Sequence, residues 1–98
     1  YRRSSDLSAL VLTAIPPLHD FSHLPIIMDP GHAAGMSRMV RPLSLASVGG
    51  GADGLMIEVH NDPSKALCDG PQALRPDQFT SLMKEIIALR QALVECTK

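Results

Sequence analysis

Residues 24–32 have the sequence Leu24-Pro-Ile-Ile-Met-Asp-Pro-Gly-His32, and residues 52–60 have the sequence Ala52-Asp-Gly-Leu-Met-Ile-Glu-Val-His60. Each stretch is a short apolar run whose last residues change abruptly to histidine or to a carboxylate. Such runs are typical of parallel strands that are covered on both faces, and these strands present their functional side chains at their carboxyl ends. The two runs therefore predict an α/β fold with a functional site at the carboxyl edge of its sheet.

Helical patterns lie between and after the two predicted strands. We predict strands over 24–29 and 55–59, a helix over about 41–49, and a final helix over about 76–95. Glycines 49–51 close the first of these helices. In the final helix, apolar residues recur at spacings of three and four, which gives the helix one apolar face: Phe79, Leu82, Met83, Ile86, Ile87, Leu89 and Leu93.

The amino-terminal part of the chain is expected to be less regular. Pro16-Pro17 interrupts a mostly apolar stretch, so we predict a loop followed by a brief helix over about 16–21. His19 and His23 lie near the end of this predicted surface helix and are expected to be solvated.

The resulting order of elements is helix, strand, helix, strand, helix. A right-handed crossover between the strands makes them parallel neighbours with helices on the outside. Two strands alone cannot bury both of their faces, so further strands are expected from additional sequence or from a second copy. The chain begins with Tyr1 and a polar segment, and we interpret residues 1–98 as a single segment of a longer polypeptide.

Composition excludes several classes of protein. Of the 98 residues, 45% are hydrophobic and 19% are charged, which is typical of a globular domain, and the net charge of −1 predicts no nucleic-acid or anionic-membrane partner. No apolar run approaches the roughly 20 residues needed to span a bilayer, and no signal peptide is recognisable. We therefore expect a cytoplasmic protein, with Cys68 and Cys96 as reduced thiols because their spacing suits no metal finger.

Three side chains form a candidate divalent-metal site, namely His32, Glu58 and Asp69. Imidazole and carboxylate groups that converge from different elements are suitable ligands, and the ends of adjacent parallel strands can bring them together. Each has a structural alternative, because His32 could cap the turn after Pro30-Gly31, and Asp69 could be an ordinary turn residue. The structural alternative is hardest to sustain for Glu58, because a carboxylate inside an apolar strand must be paired or must bind a cation.

Two further residues lie beside these candidate ligands. Asp29 could orient a neighbouring base or hydrogen-bond the loop that follows the first strand. His60 could support the site or could simply begin the loop that follows the second strand.

Three segments resemble the carboxyl-terminal part of the DAHP synthase (3-deoxy-7-phosphoheptulonate synthase) family, and most closely the subgroup that is sometimes fused to chorismate mutase. These segments are 24–35, 51–60 and 65–72, and the resemblance extends from about residue 15 to residue 89. It implies an eight-stranded (β/α) TIM barrel, of which this chain would supply strands seven and eight with their flanking helices.

The resemblance also implies an activity and a ligand set. The family condenses phosphoenolpyruvate with erythrose 4-phosphate, a transferase reaction at the start of the shikimate pathway to aromatic amino acids. Its metal is held by Cys, His, Glu and Asp, of which the last three correspond to His32, Glu58 and Asp69. The Cys belongs to an early strand outside this chain. Mn²⁺ or Fe²⁺ is the expected metal, acting as a Lewis acid on the aldehyde oxygen, and a homo-oligomer is expected.

The chain departs from the family pattern at Gly31 and Cys68, where the family usually has Ser, and these changes could alter loop stiffness or metal affinity. One alternative is a related phosphoenolpyruvate-condensing synthase that makes another keto sugar acid, although Glu58-Val59-His60 and the 65–72 segment favour DAHP synthase. Another is a non-catalytic half-barrel module that folds alone and binds no metal. Residues 1–98 by themselves are expected to be inactive.

Overall fold

The computed structural model describes residues 4–31, 37–62 and 73–96, with side chains described from residue 12 onward. Two of the three predicted metal ligands, His32 and Asp69, lie outside these ranges. The described elements, in chain order, are helix α1 (Ser4–Phe21), strand β1 (Ile27–Met28), a short 3-10 helix (Ser37–Met39), helix α2 (Val40–Gly49), strand β2 (Gly54–Leu55) and helix α3 (Pro76–Cys96).

The two strands pair in parallel, as the sequence predicts. Ile27 is opposite Gly54 and Met28 is opposite Leu55. The Met56 amide extends this ladder by donating to the Met28 carbonyl at 2.8 Å. The regular strands are shorter than the predicted spans of 24–29 and 55–59, and an isolated parallel bridge joins Val59 to Leu74 further along.

The prediction for the amino-terminal segment is wrong, because α1 is one continuous helix that contains Pro16 and Pro17. An interior proline removes a helical hydrogen bond and costs about 3 kcal/mol. Tertiary burial opposes that cost here, since Ile15 is fully buried and belongs to the same hydrophobic cluster as Met28 and Ala52. Contacts with the strand region therefore favour the helix where local propensity disfavours it.

Helices α2 and α3 match the predicted spans closely. The Gly50 amide donates to the Ala46 carbonyl at 2.8 Å and the Gly51 amide donates to the Val48 carbonyl at 3.1 Å, which closes α2. Gly51 has a φ of 101°, a left-handed conformation that glycine adopts without steric cost. The glycine run therefore acts as the helix stop that the sequence indicates.

A polar cluster ties α1 to the amino ends of both strands. The Asp53 carboxylate accepts from the Ile26 amide at 2.7 Å, and the Asp53 amide donates to the Ile26 carbonyl at 2.9 Å. His19 Nε2 lies 2.8 Å from the Gly51 carbonyl and 3.5 Å from an Asp53 carboxylate oxygen. His19 is exposed, as predicted, and it also makes these contacts within the fold, which the sequence did not predict.

Two apolar clusters hold the helices in place. The first combines α1 with the strand region and contains Ile15, Met28 and Ala52, with Leu12, Ile26 and Leu55 packed against it. The second joins α2 to α3 and contains Val40, Leu74 and Leu82, with Leu45, Ile57 and Ile86 packed against it. The predicted apolar face of α3 is confirmed at its centre, where Leu82 is only 2% exposed.

Much apolar surface stays uncovered. Phe21 is 88% exposed and Leu24 is 74% exposed, and other large apolar side chains are also exposed: Leu18, Ile27, Met56, Val59, Ile87, Leu93 and Val94. A folded monomer rarely leaves so many large apolar groups in water, and such surfaces usually contact further protein. Within the described ranges, none of the helices combines the length and the hydropathy that crossing a bilayer requires.

Candidate functional site

Glu58 and His60 lie on one side of the segment that continues from β2. The His60 amide donates to the Leu74 carbonyl at 2.8 Å, and the Leu74 amide donates to the Glu58 carbonyl at 2.9 Å. These bonds place the intervening residue, Val59, in the parallel bridge with Leu74. Residues two apart in an extended segment project to the same side, so the Glu58 and His60 side chains face a common space.

Glu58 is a half-buried residue. Within the described parts of the chain, no hydrogen bond or ion pair is seen for this side chain, and it is not among the groups with other polar interactions. A charged group that is partly removed from water is unfavourable until it is paired or bound to a cation. A carboxylate is a suitable donor for a divalent metal, and the role of Glu58 as a ligand stays a prediction.

His60 is held in one ring orientation by a short local hydrogen bond. The Asp62 amide donates to His60 Nδ1 at 2.9 Å, in a half-buried position. A nitrogen that accepts an N–H bond carries no proton, so the proton of the neutral imidazole is on Nε2. The Nε2–H group makes no hydrogen bond within the described ranges.

Asp29 directly follows β1, at the same edge of the strand pair from which residues 56–60 leave β2. Asp29 is half-buried and already takes part in an interaction, so it is not a free group. The buried residues Pro30 and Gly31 begin a helical turn directly after it, which agrees with the predicted end of the strand.

The complete ligand set remains a prediction. The described part of the chain contains no group of three or more His, Cys, Asp or Glu side chains that could hold a metal ion. His32 and Asp69 are outside that part of the chain, so their position relative to Glu58 is not described. Glu58 is the predicted ligand that the structure does place, at the expected edge.

A cavity lies on the other side of β2 from this site. It has a volume of about 610 Å³ and is mainly apolar, with Leu55 and Ile57 facing it from the strand and Phe79 and Met83 facing it from α3. Leu55 and Ile57 alternate with Met56 and Glu58 along the extended segment, so the cavity and the Glu58 carboxylate are on opposite faces. The cavity therefore plays no part in chemistry at Glu58.

An ion pair joins the amino-terminal part of α2 to the middle of α3. Arg41 Nε donates to one Glu85 carboxylate oxygen at 2.8 Å, and a second guanidinium nitrogen contacts the other oxygen. Hydrogen bonding and charge attraction from Arg41 lower the pKa of Glu85 and raise the pKa of Arg41. Near the start of α3, the Arg75 guanidinium similarly lowers the pKa of Asp77. The Arg41 and Glu85 pair connects α2 to α3, and both pairs are separate from Glu58 and His60.

The parallel strands, the helices packed against them and the polar groups at the carboxyl edge define an α/β protein of the class that carries its chemistry where parallel strands end. Residues 3–95 match the sequence model of the DAHP synthetase I family. The chain therefore belongs to that family, which is a family of enzymes.

Individual relatives carry two different names. The chain is 43% identical over 86 residues to a phospho-2-dehydro-3-deoxyheptonate aldolase of Thermotoga maritima. The aligned part covers 88% of this chain and 25% of the relative. It is 39% identical over 84 residues to a 2-dehydro-3-deoxyphosphooctonate aldolase of Desulfotalea psychrophila. The aligned part covers 82% of this chain and 29% of the relative. The chain thus spans between a quarter and a third of these curated relatives.

Solved structures give the same family. The crystal structure of the Thermotoga maritima DAHP synthase superposes with a TM-score of 0.81 at 44% identity, over 84% of this chain and 24% of that one. A truncated form of the same enzyme also has a TM-score of 0.81 and is covered to 31%. The helix and strand segment described above is therefore similar to part of a DAHP synthase.

Proposed function

We propose that residues 1–98 form strands seven and eight, with their helices, of an eight-stranded (β/α) barrel synthase. The parallel register of β1 and β2 and the helices packed on them support this arrangement. A complete barrel has about 250 residues, so this chain would be a minor part of one. The exposed apolar side chains of β1 and α1, such as Ile27 and Phe21, would then be covered by the remaining elements.

We further propose that the complete protein condenses phosphoenolpyruvate with erythrose 4-phosphate, as a DAHP synthase. The observation that carries this proposal is the half-buried residue Glu58, which lies at the carboxyl edge of the strand pair and whose carboxylate has no partner in the described residues. Active sites of (β/α) barrels lie at that edge. Membership of the DAHP synthetase I family supports the type of reaction. The position of Glu58 at the carboxyl edge supports the location of the active site.

Glu58 would share a divalent metal with His32 and Asp69, and a Cys from another part of the barrel would be the fourth ligand. Mixed carboxylate, imidazole and thiolate donors suit Mn²⁺ or Fe²⁺. A metal bound there would supply Lewis acidity toward the aldehyde oxygen. The role of Glu58 itself is to hold negative charge at the strand end, and the backbone bond from Leu74 to its carbonyl fixes where its side chain begins.

A second candidate function is the corresponding synthesis of 2-dehydro-3-deoxyphosphooctonate. Relatives with that name match at 37–44% identity over 59–93 residues, which is close to the 43% match with the heptonate enzyme. The two reactions differ in the aldose phosphate that is consumed. The motifs Glu58-Val59-His60 and 65–72 favour the heptonate reaction in our interpretation, and a substrate comparison tests it.

The deciding experiment begins with the intact mass of the polypeptide from its native source. A mass well above 10.5 kDa is expected, and the purified protein is then supplied with phosphoenolpyruvate and either erythrose 4-phosphate or arabinose 5-phosphate. Phosphate release and product mass are measured. Faster turnover with erythrose 4-phosphate supports the proposal, whereas faster turnover with arabinose 5-phosphate supports the second candidate. A mass near 10.5 kDa with no turnover and no metal binding would support the non-catalytic half-barrel module.

The proposal includes a cytoplasmic homo-oligomer without nucleic-acid or membrane partners. The near-neutral charge balance of the sequence supports the part of this proposal that concerns nucleic-acid and membrane partners. Size-exclusion chromatography with light scattering on the complete polypeptide tests the oligomeric state.

A further inference from the structure

We propose that His60 is a substrate-binding residue whose Nε2–H donates a hydrogen bond to an anionic oxygen of the substrate, a phosphate or carboxylate oxygen. The inference rests on the proposed function, since it assumes that phosphorylated acids bind on the side of the strand where Glu58 lies. It adds a binding group that is distinct from the candidate metal ligands. Three observations in the described residues support it.

The first observation is the fixed tautomer. The Asp62 amide donates to His60 Nδ1 at 2.9 Å, so Nδ1 acts as an acceptor and Nε2 carries the proton of the neutral ring. A neutral imidazole held in this way has a single N–H donor with a defined direction.

The second observation is the rigid backbone beneath the ring. The His60 amide is bonded to the Leu74 carbonyl at 2.8 Å, and the Leu74 amide is bonded to the Glu58 carbonyl at 2.9 Å. Positions 58 and 60 are therefore held by one bridge, and their side chains share one side of the segment. A donor fixed at both its backbone and its ring loses little conformational entropy on binding a ligand.

The third observation is that this donor has no acceptor among residues 4–31, 37–62 and 73–96. His60 is half-buried, and its Nε2–H makes no hydrogen bond within the described ranges. A partly buried donor without an acceptor is unfavourable, and a ligand oxygen would relieve that cost. Glu58, two residues away, is acidic. The neutral imidazole of His60 tolerates an anionic ligand oxygen better than a second carboxylate at position 60 would.

Two variants separate a binding role from a structural one. In His60→Asn, the side-chain oxygen can still accept from the amide two residues later, as asparagine does in turns, but no donor reaches the position of Nε2. In His60→Gln, the amide nitrogen lies close to the position of Nε2, and the turn acceptor is lost. Asn therefore preserves the local turn, and Gln preserves the donor.

The experiment measures binding of phosphoenolpyruvate, erythrose 4-phosphate and inorganic phosphate by calorimetry, with the complete polypeptide and both variants. We expect His60→Asn to weaken binding of at least one of these anions about tenfold or more, the effect of losing a hydrogen bond to a charged group, with an unchanged melting temperature. His60→Gln is expected to retain most of the affinity. The three ligands show whether the acceptor is a phosphate oxygen or the carboxylate of phosphoenolpyruvate.

A nuclear magnetic resonance measurement on protein with ¹⁵N-labelled histidine provides an independent readout. We expect the His60 resonances of the ligand-free protein to show Nε2 protonated and Nδ1 unprotonated, and the Nε2–H signal to shift on addition of the anion. Unchanged binding by His60→Asn would overturn the inference, as would parallel losses of affinity and melting temperature in both variants. Because binding is measured without turnover, these outcomes are distinct from failure of the wild-type protein to condense its substrates.

Discussion

The two ends of the strand pair differ in how their polar groups are used. At the amino end, Asp53 and His19 are joined to the backbone at Ile26 and Gly51. At the carboxyl end, the Glu58 carboxylate and the Nε2–H of His60 have no partner in the described residues, although both side chains are half-buried. The amino end is thus internally satisfied, and the carboxyl end presents groups that are suited to a ligand.

This difference separates stability from function within one short segment. Residues at the amino face of parallel α/β architectures generally contribute to stability, whereas residues at the carboxyl face contribute to chemistry. Substitutions at Asp53 should therefore change the free energy of unfolding with little effect on turnover. Substitutions at Glu58 should do the reverse.

The largest expected effect is on catalysis, from Glu58→Gln. Substitution of groups that only support a metal ligand typically costs 10- to 100-fold in affinity or activity, so loss of the ligand itself should lower turnover about 100-fold or more. Metal affinity, measured by titration, should fall in parallel. The free energy of unfolding of the metal-free protein should stay the same or rise, because the carboxylate that is removed has no partner in the described residues.

The matched control is Glu95→Gln, on the exposed final turn of α3. This variant should retain wild-type turnover and metal affinity. Full activity of Glu58→Gln, with the control behaving as expected, would remove Glu58 from the site.

The next largest effect is on stability, from Leu82→Ala in α3. Leu82 is 2% exposed and lies in the cluster with Val40 and Leu74, so the cavity should cost about 2–5 kcal/mol of unfolding free energy. Denaturant unfolding measures this loss, with the exposed Lys84→Ala as a control expected within about 0.5 kcal/mol of wild type. A loss below 1 kcal/mol would mean that this cluster is not part of the stabilising core.

A smaller effect is expected from Asp53→Ala at the amino end. Loss of the acceptor for the Ile26 amide should cost about 1 kcal/mol, while Asp53→Asn retains an acceptor oxygen and should cost less. Thermal unfolding measures both variants, with the exposed Asp20→Ala as control. If turnover falls more steeply in Asp53→Ala than in Glu58→Gln, the proposed division between the two ends is wrong.

The smallest effect is the pH dependence of the Arg41 and Glu85 ion pair. Arg41 lowers the pKa of Glu85 below its ordinary value of 4.5, so the folded state holds the ionised form more strongly than the unfolded chain. The stabilisation is fully present above that ordinary value and is lost as the pH falls through the lowered one. Glu85→Gln should therefore unfold at a slightly lower temperature than wild type at pH 7, and the difference should vanish in acid. A difference that persists below the lowered pKa would exclude ionisation of Glu85 as its cause.

Several features of the fold follow from local patterns, and these were predicted correctly. The apolar spacing of α3 and the glycine run that ends α2 depend on short-range chemistry, so residues 40–49 and 76–96 form the expected helices. The position of Glu58 at the strand end followed from its place in an apolar run. His32 and Asp69 stay predictions from the family resemblance.

The amino-acid sequence by itself determined the helices and parallel strands of this protein, its family membership and the candidate ligands. Hydrophobic periodicity, turn residues and sequence motifs are all local features of the chain, so they can be recognised without the structure. Only the tertiary structure decided that α1 continues through Pro16-Pro17, since the burial of Ile15 opposes the local proline penalty. It also decided the contact of His19 with Gly51, 32 residues away. Such contacts depend on where distant segments come to lie, and no local pattern encodes that placement.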